Sequence, residues 1–133
     1  MNINIIGLSA GIMLLLDFAF LSLISGYFSK MLYQIQKSPL KVNFGVAGIT
    51  YLLMVFALNY FILQKSGIKS RMQSKLPIID AFLLGFVIYG IYETTNLATI
   101  TNWSYKLALI DTFWGGTLFA LTTYFTCKIL HLI

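Results

Sequence analysis

The sequence predicts an all-α integral membrane protein, a bundle of four antiparallel helices joined by short loops. Of its 133 residues, 59% are hydrophobic and only 10% are charged, whereas soluble domains carry about 25% charged residues. The apolar residues fall in four stretches of at least ~20 residues, the length that a helix needs to cross a bilayer. This composition leaves too little polar surface for a water-soluble globule, so lipid is the predicted solvent.

The four predicted spans form a single membrane domain that covers residues 1–133. They are placed at about residues 5–28, 42–63, 78–100 and 107–130, and the connections are too short for a soluble domain. Residues 12–16 and 81–88 are apolar throughout, whereas the strands of a membrane barrel alternate polar and apolar side chains. Because backbone groups in lipid need internal hydrogen bonds, the spans are predicted to be helices.

Basic side chains are concentrated in the predicted loops. Residues 29–41 and 64–77 hold seven of the nine lysines and arginines. Cytoplasmic loops of membrane proteins carry an excess of these residues. The end of the bundle with loop two and the termini has one more basic residue than the other end, which favours both termini in the cytoplasm. The net charge of +5 predicts contact with anionic lipid headgroups and not with nucleic acid, since the basic loops directly flank the spans.

All four acidic side chains lie within the predicted spans, where an ionised group is costly. Asp80 follows Pro77 in the first turn of span three, where a carboxylate meets free N–H groups and the positive end of the helix dipole. Asp80 is therefore predicted to be structural. The remaining acids, Asp17, Glu93 and Asp111, lie deeper and need another explanation.

The deeper acids lie at similar levels when depth is measured from the end of the bundle that holds loops one and three. At a rise of 1.5 Å per residue, Asp17 is roughly 16 Å deep, Glu93 roughly 10 Å, and Asn96 and Asp111 roughly 6 Å. Glu93 and Asn96 share a face of span three, since they are one helical turn apart. Antiparallel spans can therefore bring these side chains into one polar layer, with Trp114 one turn beyond Asp111.

Two interpretations of this acidic layer stay open. No lysine or arginine lies at its level, so three acids that faced lipid would cost about 8–10 kcal/mol, and we expect them to face the bundle interior. There the layer could fix helix register through hydrogen bonds of about 0.6–2 kcal/mol each. Alternatively, it could form a site for a proton, a cation or a lipid-like ligand.

No pattern in the sequence predicts an enzyme, a cofactor or a metal site. His131 is the only histidine, which is too few for a metal cluster, and the chain has no glycine-rich phosphate-binding motif. Cys127 is the only cysteine, which excludes an internal disulfide. The remaining function classes are a membrane protein with an intramembrane polar site and a structural membrane component.

Three short motifs give the chain a resemblance to a known family. The motifs are Leu16-Asp17, then Tyr92-Glu93-Thr94-Thr95-Asn96-Leu97-Ala98-Thr99 followed by Trp103, and then Asp111-Thr112-Phe113-Trp114-Gly115. Together they resemble a family of small membrane proteins known as domain of unknown function 2177, over nearly the whole chain. Glu93 stands where the family is expected to have aspartate, and Phe20 stands where it often has tryptophan.

The resemblance implies four spans and groups Asp17, Glu93, Asn96 and Asp111 as one set, but it brings no activity with it. The family is similar to proteins of bacteria, algae and large DNA viruses. The structural alternative is therefore a component of a larger assembly, such as the internal membrane of a large DNA virus particle. Expected partners are membrane lipids and other membrane or capsid proteins or further copies of this chain, because four helices leave much surface to pack.

Overall fold

The computed structural model describes residues 2–132, which are helical almost throughout. The helices are α1 (Ile3–Gln36), α2 (Phe44–Leu58), α3 (Ile68–Arg71), α4 (Leu76–Thr99) and α5 (Tyr105–Ile129). A π-helical turn (Asn59–Leu63) continues α2, and a 3₁₀ turn (Met72–Ser74) precedes α4. No strand occurs in residues 2–132. The predicted all-α class is therefore confirmed.

Three of the helical segments are long and apolar enough to cross a membrane: α1, α2 with its π turn, and α4. The fourth long helix, α5, has 25 residues but includes Thr122, Thr123 and Thr126 among its buried positions. These threonines face protein and not lipid, so a central helix can carry them and still lie within a bilayer. The fourth span stays a prediction.

The first helix is longer than its predicted span. α1 continues past residue 28 to Gln36 because no glycine or proline interrupts this stretch. It ends where Lys37 adopts the left-handed conformation, with φ 59°, two residues before Pro39. Its 34 residues extend about 51 Å, well beyond the ~30 Å of bilayer hydrocarbon. The non-helical connection to α2 is therefore shorter than predicted and covers only residues 37–43.

Polar side chains define where the long helices begin. The Asn2 side chain accepts a hydrogen bond from the Asn4 backbone N–H at 2.9 Å, and Asn43 accepts one from Val46 at 3.2 Å. The Ser104 hydroxyl does the same for Leu107, at 3.1 Å. These caps satisfy N–H groups that have no partner within the helix. In α4, Pro77 takes this place in the first turn, where a missing N–H costs nothing.

The second hairpin, α4 and α5, is the most closely packed part of the molecule. A side chain at Gly85 would overlap the backbone carbonyl of Gly115, and a Cβ at Gly116 would lie 2.7 Å from the Phe82 ring. Helices in lipid associate mainly through packing, so small residues at the crossing let the backbones approach closely. The glycines therefore hold α4 and α5 in a fixed arrangement.

The second helix packs more sparsely. α2 makes few close contacts with the other helices. It buries Met54, Val55 and Leu58, and its π turn buries Asn59, Ile62 and Leu63. Hydrogen bonds at two levels join α2 and its π turn to α1: the Tyr51 hydroxyl donates to Asp17, and Asn59 donates to Ser9. The bundle therefore combines a tightly packed hairpin with a helix that has few close contacts and is joined to α1 by hydrogen bonds at two levels.

Candidate functional site

A cavity of about 560 Å³ lies between α1, α2, α4 and α5, and its wall includes Asp17, Glu93 and Asp111. The rest of the wall is mainly apolar. Its aromatic members are Phe20, Phe28, Tyr51, Tyr89 and Tyr92. Three helices thus direct their acids to one space inside the bundle, as antiparallel spans with acids at similar depths allow.

The cavity extends toward one end of the bundle and is partly open. Along α1 its wall runs from Asp17 to Phe28, and along α2 it runs from Met54 back to Ala47, near the helix start. Leu107 lines it from the first turn of α5. The cavity therefore reaches from the middle of the helices toward the α1–α2 connection and the α4–α5 turn.

Asp17 joins three helices through its two carboxyl oxygens. The Tyr51 hydroxyl of α2 donates to Oδ2, and the Trp114 indole Nε1 of α5 donates to Oδ1 at 2.9 Å. The Trp114 ring stacks on Phe20, with the ring centroids 4.7 Å apart. Both Asp17 oxygens thus have protein partners, so this acid helps to build the cavity wall.

Glu93 is buried more completely than the other acids, with 2% of its surface exposed. Its hydrogen-bond donor is Trp103 in the α4–α5 turn, whose Nε1 lies 3.4 Å from Oε2. That distance is long for an N–H···O bond. The Trp103 ring is fixed by edge-to-face contacts with Phe28 and Tyr92. One long hydrogen bond leaves most of the acceptor capacity of this carboxyl unused.

Asp111 projects from α5 into the cavity and is half-buried. Within residues 2–132 its carboxyl has neither a hydrogen-bond donor nor an ion-pair partner. The neighbouring Thr112 hydroxyl donates to the Ala108 carbonyl instead, at 2.8 Å. Asp111 is therefore the acid most available to a ligand in the cavity.

The motifs that carry the family resemblance converge on this cavity. Asp17, Glu93 and Asp111 line it, while Trp103 and Trp114 donate hydrogen bonds to two of the acids. The family model for a predicted membrane protein, DUF2177, matches residues 3–128. The chain belongs to the DUF2177 family. No curated protein and no solved structure matches it.

Membership in DUF2177 confirms the predicted resemblance. Together with the apolar helices it makes the protein an integral membrane protein. The two residues predicted to depart from the family pattern, Glu93 and Phe20, both lie at the cavity. Glu93 is one methylene longer than aspartate, and Phe20 stacks on the tryptophan that holds Asp17.

Two of the predicted site residues of this DUF2177 chain lie outside the cavity wall. Trp114 does not line the cavity, but it donates a hydrogen bond to Asp17, which does. Asn96 is half-buried near the end of α4 and lines neither this cavity nor the neighbouring groove. Asp80 is also separate: it forms an exposed ion pair with Arg71 at 3.7 Å, near the start of α4.

Sequence reasoning missed Tyr51 as the partner of Asp17 and Trp103 as the donor to Glu93. Tyr51 lies in an apolar span at the depth of Asp17, and that shared depth was the signal available. Trp103 appeared in the family motif, but the motif assigned it no hydrogen-bond partner. The polar group at the π turn, Asn59, was missed as well, since a single asparagine near the end of an apolar stretch does not predict burial.

A groove of about 580 Å³ lies along α4 and α5 and shares Glu93 with the cavity. Its other lining residues, such as Phe86, Leu97 and Leu109, are largely apolar. The described residues contain no group of three His, Cys, Asp or Glu side chains arranged to hold a metal ion. The cavity with its unpartnered carboxyl is therefore the site with the clearest chemistry.

Proposed function

We propose that the protein binds an organic cation, such as a protonated or quaternary amine, in the cavity between α1, α2, α4 and α5. The observation that carries this proposal is Asp111, a carboxyl without a partner in the described chain that faces a cavity with two further acids. No lysine or arginine lines the described part of that cavity. A positively charged ligand would supply the missing partner.

The aromatic wall supports a cation with an apolar body. Five aromatic rings line the cavity together with the acids. An aromatic face attracts a nearby cation by about 0.5–1 kcal/mol at an exposed site and by about 2 kcal/mol when water is excluded. Small-molecule sites are typically apolar cavities of roughly 300–1,000 Å³ with a few polar groups that fix orientation. The volume of about 560 Å³ and the acids of this cavity fit that description.

The small number of free oxygen ligands in the cavity wall and the size of the cavity both argue against an inorganic cation or a proton as the main ligand. Calcium takes about 6–8 oxygen ligands and magnesium requires near-octahedral geometry. Both oxygens of Asp17 already accept hydrogen bonds, so Glu93 and Asp111 are the carboxyls left to coordinate an ion. A proton would not need a cavity of this size. An amine with apolar substituents uses both the acids and the rings.

The predicted site residues take different roles in this proposal. Asp111 is the main charge partner of the cation, and Glu93 is the second, because its single hydrogen bond is long. Asp17 and Trp114 position the aromatic side chains of the cavity wall, since Tyr51 donates to Asp17 and Phe20 stacks on Trp114. We assign Asn96 no contact with the ligand.

Equilibrium binding of radiolabelled choline to the purified protein in lipid nanodiscs tests the proposal. We expect saturable binding that Asp111→Asn weakens at least about tenfold, which corresponds to about 1.4 kcal/mol. The matched control is Asp80→Asn, which removes the same charge from the exposed pair with Arg71 and should leave binding unchanged. The neutral isostere 3,3-dimethylbutan-1-ol should compete poorly.

Two results would contradict organic-cation binding. One is equal competition by choline and its neutral isostere, which would show that the charge is not recognised. The other is folded protein that binds neither choline nor tetraethylammonium. That second outcome would favour a structural role, in which the acidic layer only fixes the helices relative to one another.

A further inference from the structure

We propose that the protein transports its cation across the membrane. In this proposal a layer of apolar side chains, on the side of the cavity away from its opening, is a closed gate. This inference rests on the proposed function and adds that the bound cation crosses the membrane. It concerns the half of the bundle on the far side of the cavity, toward the N-terminus of α1 and the π turn after α2. Three observations support it: a closed apolar layer, a second polar cluster and two unpartnered hydroxyls.

The apolar layer closes the interior directly beyond the acids. Met13 of α1, Leu58 of α2 and Leu118 and Phe119 of α5 are all 0% exposed and belong to one packed cluster. A cation in the cavity therefore has an opening on one side and a continuous apolar barrier on the other. Such a barrier is expected for a carrier that is open to one side of the membrane at a time.

A second polar cluster lies beyond this barrier. The Asn59 side chain, at the first residue of the π turn, is 1% exposed and donates to the Ser9 hydroxyl at 3.1 Å and to the Val55 carbonyl at 2.8 Å. Along α1, the distance from Asp17 to Ser9 is about 12 Å at the helical rise. Polar groups therefore occur on both sides of the apolar layer.

The unpartnered hydroxyls lie on α5 beyond the same barrier. Three of the threonines of this helix have a hydrogen-bond partner within the helix itself. The hydroxyls of Thr112, Thr117 and Thr122 each donate to the backbone carbonyl four residues earlier. Thr123 and Thr126 are 0% exposed, and their hydroxyls have no hydrogen-bond partner within the described chain. A buried hydroxyl without a partner costs free energy, and a passing hydrated cation would supply the partner.

The packing of α2 differs from that of the α4–α5 hairpin in a way that suits movement. α4 and α5 are held together by their glycine crossing, whereas α2 is sparsely packed and ends in a π turn. π turns within helices occur frequently at functional sites. In carriers, one helical group rocks against another around a fixed binding site. Here α2 would rock against α1 and the α4–α5 hairpin, because α1 packs more extensively on α5 than on α2 and is joined to α5 by the Trp114–Asp17 hydrogen bond.

Uptake of radiolabelled choline into proteoliposomes under an inside-negative potential tests transport. Wild-type protein should give saturable uptake above protein-free liposomes, and Asp111→Asn should reduce it at least tenfold. The decisive variant is the double substitution Thr123→Val and Thr126→Val, which replaces two unpartnered hydroxyls by methyl groups of the same shape. We expect uptake to fall at least fivefold while choline binding in nanodiscs stays within twofold.

The matched control is Thr117→Val, on the same helix, whose hydroxyl already donates to the Phe113 carbonyl at 2.9 Å; its uptake should stay near wild type. A purely structural role for Thr123 and Thr126 gives a different result, namely raised thermal stability with unchanged uptake, and that result overturns the proposal. Choline binding without wild-type uptake would overturn transport alone. Absence of both binding and uptake would overturn transport and the proposed function together.

Discussion

The α4–α5 hairpin and the α1–α2 pair are held together by different physical means. Between α4 and α5, the glycines bring the backbones so close that an added methyl group has no space. Between α1 and α2, hydrogen bonds from Tyr51 and Asn59 provide the specific contacts. Close packing fixes two helices at every point along the crossing, whereas a hydrogen bond fixes them at one point.

The acid cavity lies along the boundary between these two regions. Glu93 and Asp111 belong to the closely packed hairpin, while Asp17 and Tyr51 belong to the pair with polar contacts. The acids proposed to bind the cation are therefore on the fixed side. Of the two helices that face them, α2 makes few close contacts and is joined to α1 by individual hydrogen bonds, which is the arrangement that a rocking movement of α2 requires.

The largest stability effect should come from Gly85→Ala, because the new methyl group meets the Gly115 carbonyl and the Phe119 ring. We expect a loss of about 3 kcal/mol, at the upper end for overpacking. Cys127 is the only cysteine and is fully buried, so a thiol-reactive dye reports unfolding as temperature rises. Gly11→Ala is the control, since nothing lies within 4 Å of that added methyl. Equal melting temperatures would show that the hairpin is not closely packed.

The next largest effect should come from Asn59→Leu. Asn59 donates to Ser9 and Val55 and accepts from the Gln64 side chain at 3.0 Å, so the substitution removes three hydrogen bonds and leaves buried partners without donors. We expect a loss of about 2 kcal/mol in the same dye assay. Asn43→Leu, at the exposed start of α2, provides a comparison for the loss of a single capping bond. A more stable Asn59→Leu protein would contradict the importance of polar contacts for α2.

The polar layer illustrates what a sequence can and cannot predict in lipid. The common depth of Asp17, Glu93 and Asp111 followed from the fixed helical rise, and the structure places all three on one cavity. The rotation of each helix about its axis did not follow, because a helix that is apolar on all sides gives no signal for its buried face. Asn96 shows the limit: it lies one turn beyond Glu93 on a shared face of α4, yet it lines neither the cavity nor the groove.

The same limit explains the missed donors. The contact between Tyr51 and Asp17 depends on how α2 is rotated about its axis and on the angle at which it crosses α1. The apolar sequence of α2 has no periodicity that predicts either quantity. The start of α2 was predictable to within two residues, since Asn43 is a typical helix cap. The π turn was not, because it depends on where Asn59 finds buried partners in α1 and α2 itself.

A smaller effect is expected from Tyr51→Phe, which removes the hydroxyl that donates to Asp17 and keeps the ring. Interhelical hydrogen bonds in membrane proteins average about 0.6 kcal/mol and reach about 1.7, so we expect a loss of about 1 kcal/mol. Hydrogen exchange should rise in residues 44–58 and stay unchanged in α4 and α5. Tyr60→Phe is the matched control, because its ring is half-exposed and contacts Phe56 and Phe61. Faster exchange in all helices alike would contradict a separate role for α2.

The smallest effect is expected from Asp80→Asn, although Asp80 is an acid in an apolar span like the others. Its partner Arg71 lies 3.7 Å away and both side chains are nearly half exposed. Exposed ion pairs contribute about 0.2–1 kcal/mol and are weakened by salt. The melting temperature should therefore change by no more than the scatter between replicates at 0.5 M salt. A large loss that persists at high salt would show that Asp80 is shielded from water. Asp80 and Asp111 would then both be shielded from water, and they would differ only in that Asp80 has an ion-pair partner and Asp111 has none within residues 2–132.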